Sequence, residues 1–440
     1  MTPFTPLRDL PQEAEFSKND VFVLFGELFT RGYANGLVEE AKAAGMTIVG
    51  ITVGRREKDN SLRPLTPEEL VEAEANLGGK VINVPLWAGF DMDAPEGKKS
   101  PADILAKVKT KEWEDFKIDW DLIEQAKEVG VRRFKQSVAE AMEQIKALIP
   151  QGANVLFAHT MAGGIPKAKV LLLLNNHAVK GKGKRYLSSG KLWESDLGQL
   201  QQKNSIEVTA KTLQYLLDGT EEIRNLVASW NGEVRYAAYG YHGTEILING
   251  QYQWQTYNPY VPGWGKLELE NIANRAWEKG IKVTVFNCPE VRTNSSDIFS
   301  GVELSLYPLI HSFLQEGGST WAQEQKEACN AKLEEGYSLD SLLENIDQYH
   351  QSDTMQDFYN DFEHWPRHNS PESAELMLTT SDEAMKQNQS KKDTITHHLS
   401  ELVVQGAGSL MFRAVWNSSQ PVLWLGHAII AKEMNRKHSA

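Results

Sequence analysis

The amino-acid sequence predicts an α/β protein, a doubly wound parallel sheet with a mostly helical C-terminal extension. Two observations support this prediction. Up to about residue 316, short apolar runs of strand length alternate with amphipathic helical stretches, a pattern typical of parallel sheets. Beyond that point the sequence becomes polar and charged, keeps a helical periodicity and loses its strand signals.

The first strand–helix–strand unit has the clearest pattern. Residues 20–25 form a short apolar run that Gly26 ends, as in a strand buried on both faces. Residues 33–44 show helical periodicity, and residues 46–53 form a second apolar run. The segment 21–53 therefore predicts one βαβ unit.

The remaining elements follow the same pattern. Thr66 and Ser100 are each followed by proline and an acid, which predicts two helix starts. Further strands are predicted over 81–86, 154–158, 233–239 and 282–286, and further helices over 120–149 (with Gly130 as a candidate break), 205–230 and 267–279. The stretch 402–430 is apolar again and is expected to pack back on the core. We place a domain boundary between residues 325 and 326.

Composition and charge exclude several classes of protein. Hydrophobic residues make up 41% and charged residues 24%, which excludes a disordered or collagen-like chain. The 46 basic and 59 acidic residues give a net charge of −13, which argues against a nucleic-acid scaffold. The two cysteines form no Cys-x-x-Cys pair, so a reducing, cytoplasmic compartment is expected. Neither a signal peptide nor an apolar run long enough for a membrane span is expected.

The turn after the first predicted strand is rich in glycine, with Gly26, Gly32 and Gly36. A helix N-terminus offers free backbone N–H groups and the positive end of the helix dipole to an anion such as the pyrophosphate of a dinucleotide. The spacing is wider than in the usual fingerprint, and a glycine-rich turn without a ligand is an equal alternative.

The end of the second predicted strand bears on the choice of cofactor. Arg55 and Arg56 follow Gly54, at the place where an NAD-binding protein would carry an acid. Arginines there can bind a 2′-phosphate, so the sequence favours NADPH. Glu57 could instead bind the ribose of NADH, so NADH is the alternative cofactor. A solvated surface pair is the alternative for the two arginines. Asp91, after the third strand, is either a contact to the adenine edge or an ordinary loop acid.

A tyrosine and a lysine could carry the chemistry. Tyr257 and Lys266 stand with eight residues between them, and Lys266 begins a predicted helix. A free phenol has a pKa of about 10, and a nearby ammonium lowers it, so that the tyrosine can donate a proton or a strong hydrogen bond. When hydride adds to an enoyl thioester, a donor aimed at the thioester oxygen stabilises the enolate.

On these residues the sequence resembles the short-chain dehydrogenase/reductase superfamily, and within it the bacterial enoyl-acyl-carrier-protein and trans-2-enoyl-CoA reductases. The resemblance covers about residues 20–315. It rests on the spacing of Tyr257 and Lys266, on the Tyr-x-Tyr-x-Gly segment 239–243 and on the Ser-Ser pair at 295–296. The turn 30–33 and the segment 159–163 are similar to cofactor contacts of that family.

The resemblance implies a Rossmann-type fold in which residues 1–325 form the dinucleotide-binding and catalytic domain and residues 326–440 form an extension packed on it. Tyr241 would be the proton donor or the partner of the enolate oxygen, Tyr257 would hydrogen-bond the thioester oxygen, and Lys266 would bind the nicotinamide ribose. Together with the residue-based argument, the candidate cofactor contacts are Gly26, Gly32, Tyr33, Arg55, Arg56, Asp91, His159, Thr160, Met161, Ala162, Lys266, Thr293 and Ser295. The chain departs from the family at 246–251, which looks like an inserted hairpin, and over the last 110 or so residues.

The predicted function is the reduction of an α,β-unsaturated acyl thioester, carried by acyl carrier protein or by CoA, with NADPH or NADH. One alternative is a 3-oxoacyl or other carbonyl reductase of the same superfamily, in which Thr244 would bind the carbonyl. Another is a non-catalytic NADP-binding sensor whose extension contacts a partner.

Several other features have simple structural alternatives. Tyr236, Tyr239, Tyr252, Tyr257 and Tyr260 could form an aromatic packing cluster. The basic loop 180–185 is either a surface loop or a docking site for an acidic carrier protein or a CoA phosphate. No metal site is expected, since His397 and His398 have no evident third ligand.

Overall fold

The computed structural model describes residues 4–28, 32–255, 263–293, 301–359 and 369–438. Within these residues seven parallel strands form one sheet, and two short antiparallel ribbons lie outside it. The strands are β1 (Val21–Phe25), β2 (Thr47–Ile51), β3 (Arg55–Arg56), β4 (Leu62–Arg63), β5 (Lys80–Ile82), β6 (Val155–His159), β7 (Val234–Gly240), β8 (Thr244–Ile248), β9 (Gln251–Gln255), β10 (Val283–Asn287) and β11 (Val422–Trp424).

The order of strands across the sheet is β11-β10-β7-β6-β1-β2-β5, and every neighbouring pair is parallel. Counted in chain order within the sheet, this reads 7-6-5-4-1-2-3. Dinucleotide-binding sheets have the same order over their first six strands. The predicted doubly wound sheet is therefore confirmed.

Helices cover both faces of the sheet and make up most of the C-terminal region. They are α1 (Ala34–Ala43), α2 (Pro67–Leu77), α3 (Pro101–Leu105), α4 (Trp120–Lys146), α5 (Lys169–Lys180), α6 (Ser189–Glu194), α7 (Asp196–Ile206), α8 (Thr212–Gly219), α9 (Glu221–Ser229), α10 (Trp264–Glu278), α11 (Val302–Leu306), α12 (Leu309–Glu316), α13 (Thr320–Asn330), α14 (Leu339–Gln351), α15 (Asp353–Tyr359), α16 (Pro371–Lys386), α17 (Ile395–Asn417) and α18 (His427–His438). Among the described residues, none of these helices has both the length and the apolar character that crossing a membrane requires.

The helix starts follow from local sequence. The Thr66 hydroxyl accepts a hydrogen bond from the backbone N–H of Glu69, and the Glu69 carboxylate accepts one from the N–H of Thr66. Ser100 caps α3 in the same way. Gly130 does not break α4, contrary to the suggested break. A side chain there would crowd the Gly89 carbonyl oxygen, so this glycine allows a loop to approach the helix closely.

Alternate residues of each strand face two separate apolar layers. In β1, Phe22 and Leu24 pack with α1 and α17, whereas Val21, Val23 and Phe25 pack with residues of α4, α8 and α10. All five side chains are at most 1% exposed. The continuous apolar run read from the sequence is thus explained by burial on both faces.

The C-terminal region takes part in the central sheet. β11 pairs with β10 in parallel, and α17 lies across α1. The apolar stretch 402–430 packs back on the core as predicted, but the strand within it was not predicted. The division of the chain at residue 325 stays a prediction.

Helices α1 and α17 approach each other closely at two glycines. A β-carbon on Gly36 would overlap the carbonyl oxygen of Val404, and one on Gly408 would overlap the backbone of Gly36. Gly36 therefore serves the contact between helices, which leaves Gly26 and Gly32 as the glycines of the turn.

We expect Gly408→Ala to lower the free energy of unfolding by about 1–3 kcal/mol, because the added methyl forces the two helices apart. The measurement is urea unfolding followed by circular dichroism. Gly406→Ala on the same helix is the matched control, since its methyl would meet only side-chain atoms at 3.3 Å. Equal stability of the two variants would contradict the close contact.

Candidate active site

Two strand ends meet at the point where the order of the sheet reverses. Gly26 follows β1 and Thr160 follows β6, and in open parallel sheets ligands bind outside the carboxyl ends of the strands at such a point. Gly26 has a φ of 139°, and a β-carbon there would overlap the Thr160 hydroxyl. Only glycine fits this position.

Gly32 lies in the turn that leads into α1. It has a φ of 150°, and a β-carbon on it would meet no atom of the described residues within 4 Å. Tyr33 directly precedes α1, and its carbonyl oxygen accepts a hydrogen bond of 2.7 Å from the Tyr239 hydroxyl. Residues 29–31 of the resembling turn lie outside the described residues.

A cleft lies beside this turn, between the ends of β1 and β2 and helix α2. It encloses about 640 Å³, including the part that opens to solvent. Its charged lining consists of Glu27, Arg55, Glu69 and Glu72. Arg55 donates to Glu27 at 2.8 Å. Arg63, outside the lining, donates to both carboxylate oxygens of Glu69. Among the described charged residues of the lining, Glu72 alone has no ion pair, so the cleft carries a small excess of negative charge.

Arg56 and Asp91 lie outside the set of residues that line the cleft. The Arg56 side chain is 6% exposed, with its guanidinium over the Trp87 ring and 3.9 Å from Asp93. Asp91 accepts a hydrogen bond of 2.7 Å from the backbone N–H of Lys167, and burial raises the pKa of its carboxyl. These contacts hold loops together, and the predicted cofactor roles of both residues stay predictions.

Lys266 lies in the first turn of α10 and is 8% exposed. Its ammonium donates a hydrogen bond of 2.6 Å to the carbonyl oxygen of Tyr239, the penultimate residue of β7. Burial lowers the pKa of Lys266 to about 8. An ammonium carries three N–H donors, and the described contacts use one of them.

A buried polar network follows β7. The Nδ1 atom of His242 lies 2.9 Å from Oε1 of Glu270, and the Asn287 side-chain amide donates to the same oxygen at 2.8 Å. All three side chains are buried. Sequence analysis assigned no role to these three residues. The feature that could have pointed to them is the position of His242 within the Tyr-x-Tyr-x-Gly segment.

In the sequence, Tyr241 lies between Tyr239, whose carbonyl oxygen accepts the hydrogen bond from Lys266, and His242 of this network. Its side chain is half-buried, and its hydroxyl lies close enough to the carboxyl of Glu290 to lower the pKa of that carboxyl. Glu290 is 8% exposed and follows β10. Sequence reasoning did not identify Glu290, because a lone glutamate after a strand carries no recognisable pattern.

The segment after β6 places one predicted side chain in the core. His159 is 1% exposed, and its Nε2 lies 2.9 Å from the Thr212 hydroxyl. Since that hydroxyl donates to the carbonyl of Val208, the histidine must be the donor. Burial lowers the pKa of His159 to about 3. Any cofactor contact by His159 would come from its backbone.

The other residues of this segment lie at the strand end. The backbone N–H of Thr160 donates to the Phe25 carbonyl at 3.0 Å. Met161 is buried and Ala162 is exposed. Thr293 is half-buried at the end of a described range. Their cofactor roles stay predictions.

Tyr257, Tyr260 and Ser295 lie outside the described residues. The inserted hairpin is formed by β8 and β9, and Asn249 and Gly250 make its two-residue turn with φ of 47° and 75°. Both positive values are typical of a type I′ turn.

The alternatives left open by the sequence gain little support. Thr244 is 1% exposed in β8, and its hydroxyl reaches the carbonyl of Leu425. Tyr236 stacks on Phe157 in one layer, whereas Tyr239 packs on Tyr33 in the other, so these two tyrosines do not share a cluster. Over the described ranges no three metal-binding side chains converge.

Comparisons with known proteins identify the family. The family described as "Enoyl-acyl carrier protein reductase FabMG" matches residues 3–434. A solved structure described as the apo form of FabMG is 56% identical with a TM-score of 0.96, covering 100% of this chain and 98% of that chain. A second, described as the NADH-bound structure of FabMG, is 48% identical with a TM-score of 0.81 and covers 100% of both chains. No curated protein matches.

We expect His159 to stay neutral in the folded protein well below pH 6.5. Its folded pKa of about 3 lies under the unfolded value, so lowering the pH through 6.5 protonates only the unfolded state and reduces stability. In His159→Gln, whose amide can still donate to Thr212, the loss of unfolding free energy between pH 7 and pH 4.5 should shrink by about 2 kcal/mol.

The measurement is urea unfolding of both proteins at the two pH values. The other buried histidines are present in the wild type and in His159→Gln. Their contributions to the pH dependence of the unfolding free energy therefore cancel when the two proteins are compared. The partly exposed His397 provides the control His397→Gln, which should keep the wild-type pH dependence. The burial argument fails if His159→Gln loses as much stability as the wild type.

Proposed function

Because this chain belongs to the FabMG family of enoyl-acyl carrier protein reductases, we propose that it reduces an enoyl group on acyl carrier protein with NADH as hydride donor, assisted by Tyr241, Tyr257 and Lys266. Family membership makes it an NAD(P)H-dependent oxidoreductase. The mechanistic part rests on the buried ammonium of Lys266. This ammonium donates to the carbonyl oxygen of Tyr239, which lies at the end of β7, two residues before Tyr241.

Lys266 supplies a fixed positive charge. With a pKa of about 8 it is mostly protonated at neutral pH, and in a site of low dielectric constant its field is weakly screened. A cation there stabilises negative charge on a neighbouring phenol and on the acyl oxygen. We infer that its remaining N–H donors reach the ribose next to the nicotinamide.

The cleft beside Gly26 fits the adenosine half of the cofactor. The turn at Gly32 and the start of α1 would receive the pyrophosphate, because a helix N-terminus favours an anion. NADH, which the 48% identical relative binds, supplies the hydride.

The charge of the cleft favours NADH over NADPH. Glu27 and Glu69 are paired with Arg55 and Arg63, so Glu72 supplies the negative charge that would repel a 2′-phosphate. Carboxylates also accept hydrogen bonds from ribose hydroxyls. Arg55, which the sequence suggests as a phosphate partner, is already paired with Glu27. The NADPH preference drawn from the two arginines is thereby weakened, and NADH is the proposed cofactor.

A basic surface supports acyl carrier protein as the carrier. Between Thr160 and Trp193 the chain has seven lysines and arginines and no acid, in a protein of net charge −13. Lys167, Lys182, Lys184 and Arg185 among them are exposed. The segment begins at the carboxyl end of β6, beside the candidate site, where an acidic partner would be attracted.

We expect the wild type to oxidise NADH with crotonyl-acyl carrier protein, and to do so with a higher kcat/KM than with crotonyl-CoA. Lys266→Met should lower kcat/KM by about 10²-fold or more, because a preorganised charge is lost. The measurement is the absorbance of reduced nicotinamide in steady state. Lys279→Met, an exposed lysine just after the same helix, is the matched control and should keep wild-type activity.

Two outcomes would count against this proposal. Turnover with 3-oxoacyl substrates alone would favour the carbonyl reductase. Binding of NADH without turnover of any thioester would favour the sensor. Full activity of Lys266→Met would reject the role of this lysine while leaving the reaction class intact.

We expect the wild type to use NADH with a kcat/KM about 10-fold above that for NADPH, because repulsion of one phosphate by the carboxylate of Glu72 is worth about 1.4 kcal/mol in a partly buried cleft. Glu72→Lys reverses one charge in the lining and should move the ratio towards NADPH. Glu68→Lys, an exposed acid on the same helix outside the lining, is the control. An unchanged ratio in Glu72→Lys would contradict the electrostatic origin of the preference.

A further inference from the structure

A buried carboxyl lies next to Tyr241 at the carboxyl edge of the sheet. Glu290, three residues beyond the end of β10, is 8% exposed. Its Oε2 accepts a hydrogen bond of 2.8 Å from the Ser305 hydroxyl of α11. The Tyr241 hydroxyl lies close enough to the same carboxyl to lower its pKa. Ser305 therefore holds this buried carboxyl beside the proposed proton donor.

The surroundings of Glu290 set its protonation. Burial raises the pKa of Glu290 to about 7, and the neighbouring Glu303 of α11 acts in the same direction, whereas the hydroxyls of Ser305 and Tyr241 lower it. Glu303 is itself buried, and burial raises the pKa of its carboxyl. A group whose two forms are both populated near neutral pH can exchange protons efficiently in either direction.

We propose that Glu290 is a proton-relay residue that restores the proton of the Tyr241 hydroxyl after each reduction. This inference rests on the proposed function. It makes Glu290 a positioning residue, since it acts through Tyr241 and not on the acyl group.

The proposed relay balances in protons and electrons. After hydride reaches the β-carbon, the acyl group carries the negative charge. The O–H bond of Tyr241 breaks, its proton forms the new C–H bond at the α-carbon, and its electron pair stays on the phenolate oxygen. The O–H bond of the Glu290 carboxyl then breaks and its proton passes to the phenolate. Water returns a proton to the carboxylate, so each turnover consumes one hydride and one proton from solvent.

The relay predicts a specific kinetic signature in Glu290→Gln. An amide cannot deliver the proton, so steady-state kcat should fall by about 10²-fold. The first turnover in a rapid-mixing experiment should keep its wild-type rate, because Tyr241 starts protonated. The kcat/KM for NADH should stay unchanged, because the slowed step follows the chemistry, so the KM falls together with kcat. A residue that only supports the fold would slow the first turnover and the steady state together.

The pH dependence gives a second test. Wild-type kcat should fall as the pH rises through about 7, and this limb should be absent in Glu290→Gln. Ser305→Ala removes a donor to the carboxylate, so it should move the limb to higher pH without lowering kcat at pH 6. This variant keeps the test available if Glu290→Gln does not fold. Glu303→Gln, the neighbouring buried carboxyl, is the matched control. It should retain the rate at pH 6 and keep the limb, which moves to lower pH because Glu303 raises the pKa of Glu290.

A titration without substrate completes the experiment. In protein labelled with ¹³C at the glutamate carboxyls, one resonance titrating near pH 7 should be present in the wild type and missing in Glu290→Gln. Wild-type turnover together with an unchanged kcat and limb in Glu290→Gln would overturn the relay alone. Absence of enoyl reduction by the wild type would overturn the proposed function instead.

Discussion

Two opposite charges, one helical turn apart on α10, are buried against the ends of β7 and β10. Charged groups leave water only when each finds partners. Lys266 finds the carbonyl oxygen of Tyr239, and Glu270 finds His242 and Asn287. Removing one partner of such a pair costs about 3–5 kcal/mol, because the other charge stays buried without compensation. The start of α10, the segment after β7 and the end of β10 are therefore fixed relative to one another.

This constraint determines where Tyr241 and Glu290 lie. Tyr241 stands between Tyr239 and His242, both of which contact α10, and Glu290 follows Asn287 by three residues. A glycine at position 240 is part of the same arrangement, since a β-carbon there would overlap the side chain of Asn287. Hydrogen bonds between polar groups have preferred directions, so they restrict the relative positions of these segments more than apolar packing does. In apolar packing, one side chain can be replaced by another of similar volume.

The sequence predicted those features that depend on neighbouring residues. The first βαβ unit and the caps at Thr66 and Ser100 follow from periodicity and helix-start chemistry. The inserted hairpin was predicted from a departure from the resembling family. β11 was missed because three residues are too few to show alternation, and its partner β10 lies more than 130 residues earlier. The adjacent arginines 55 and 56 have opposite surroundings, one in the acidic cleft and one against Trp87. A sequence pattern cannot decide which of two neighbours turns inwards.

The cleft at one end of the candidate site is open to water, whereas the groups at the other end are buried. This difference determines which substitutions each end can tolerate. In the cleft the charged groups are partly exposed, so single pairs contribute little and the net charge governs the choice of cofactor. At the other end, Lys266, Glu270 and Glu290 are buried, and every pair is strong because the surroundings screen it weakly. Cofactor preference can therefore be altered by single substitutions on α2, whereas the groups proposed for the chemistry can change only together with their partners.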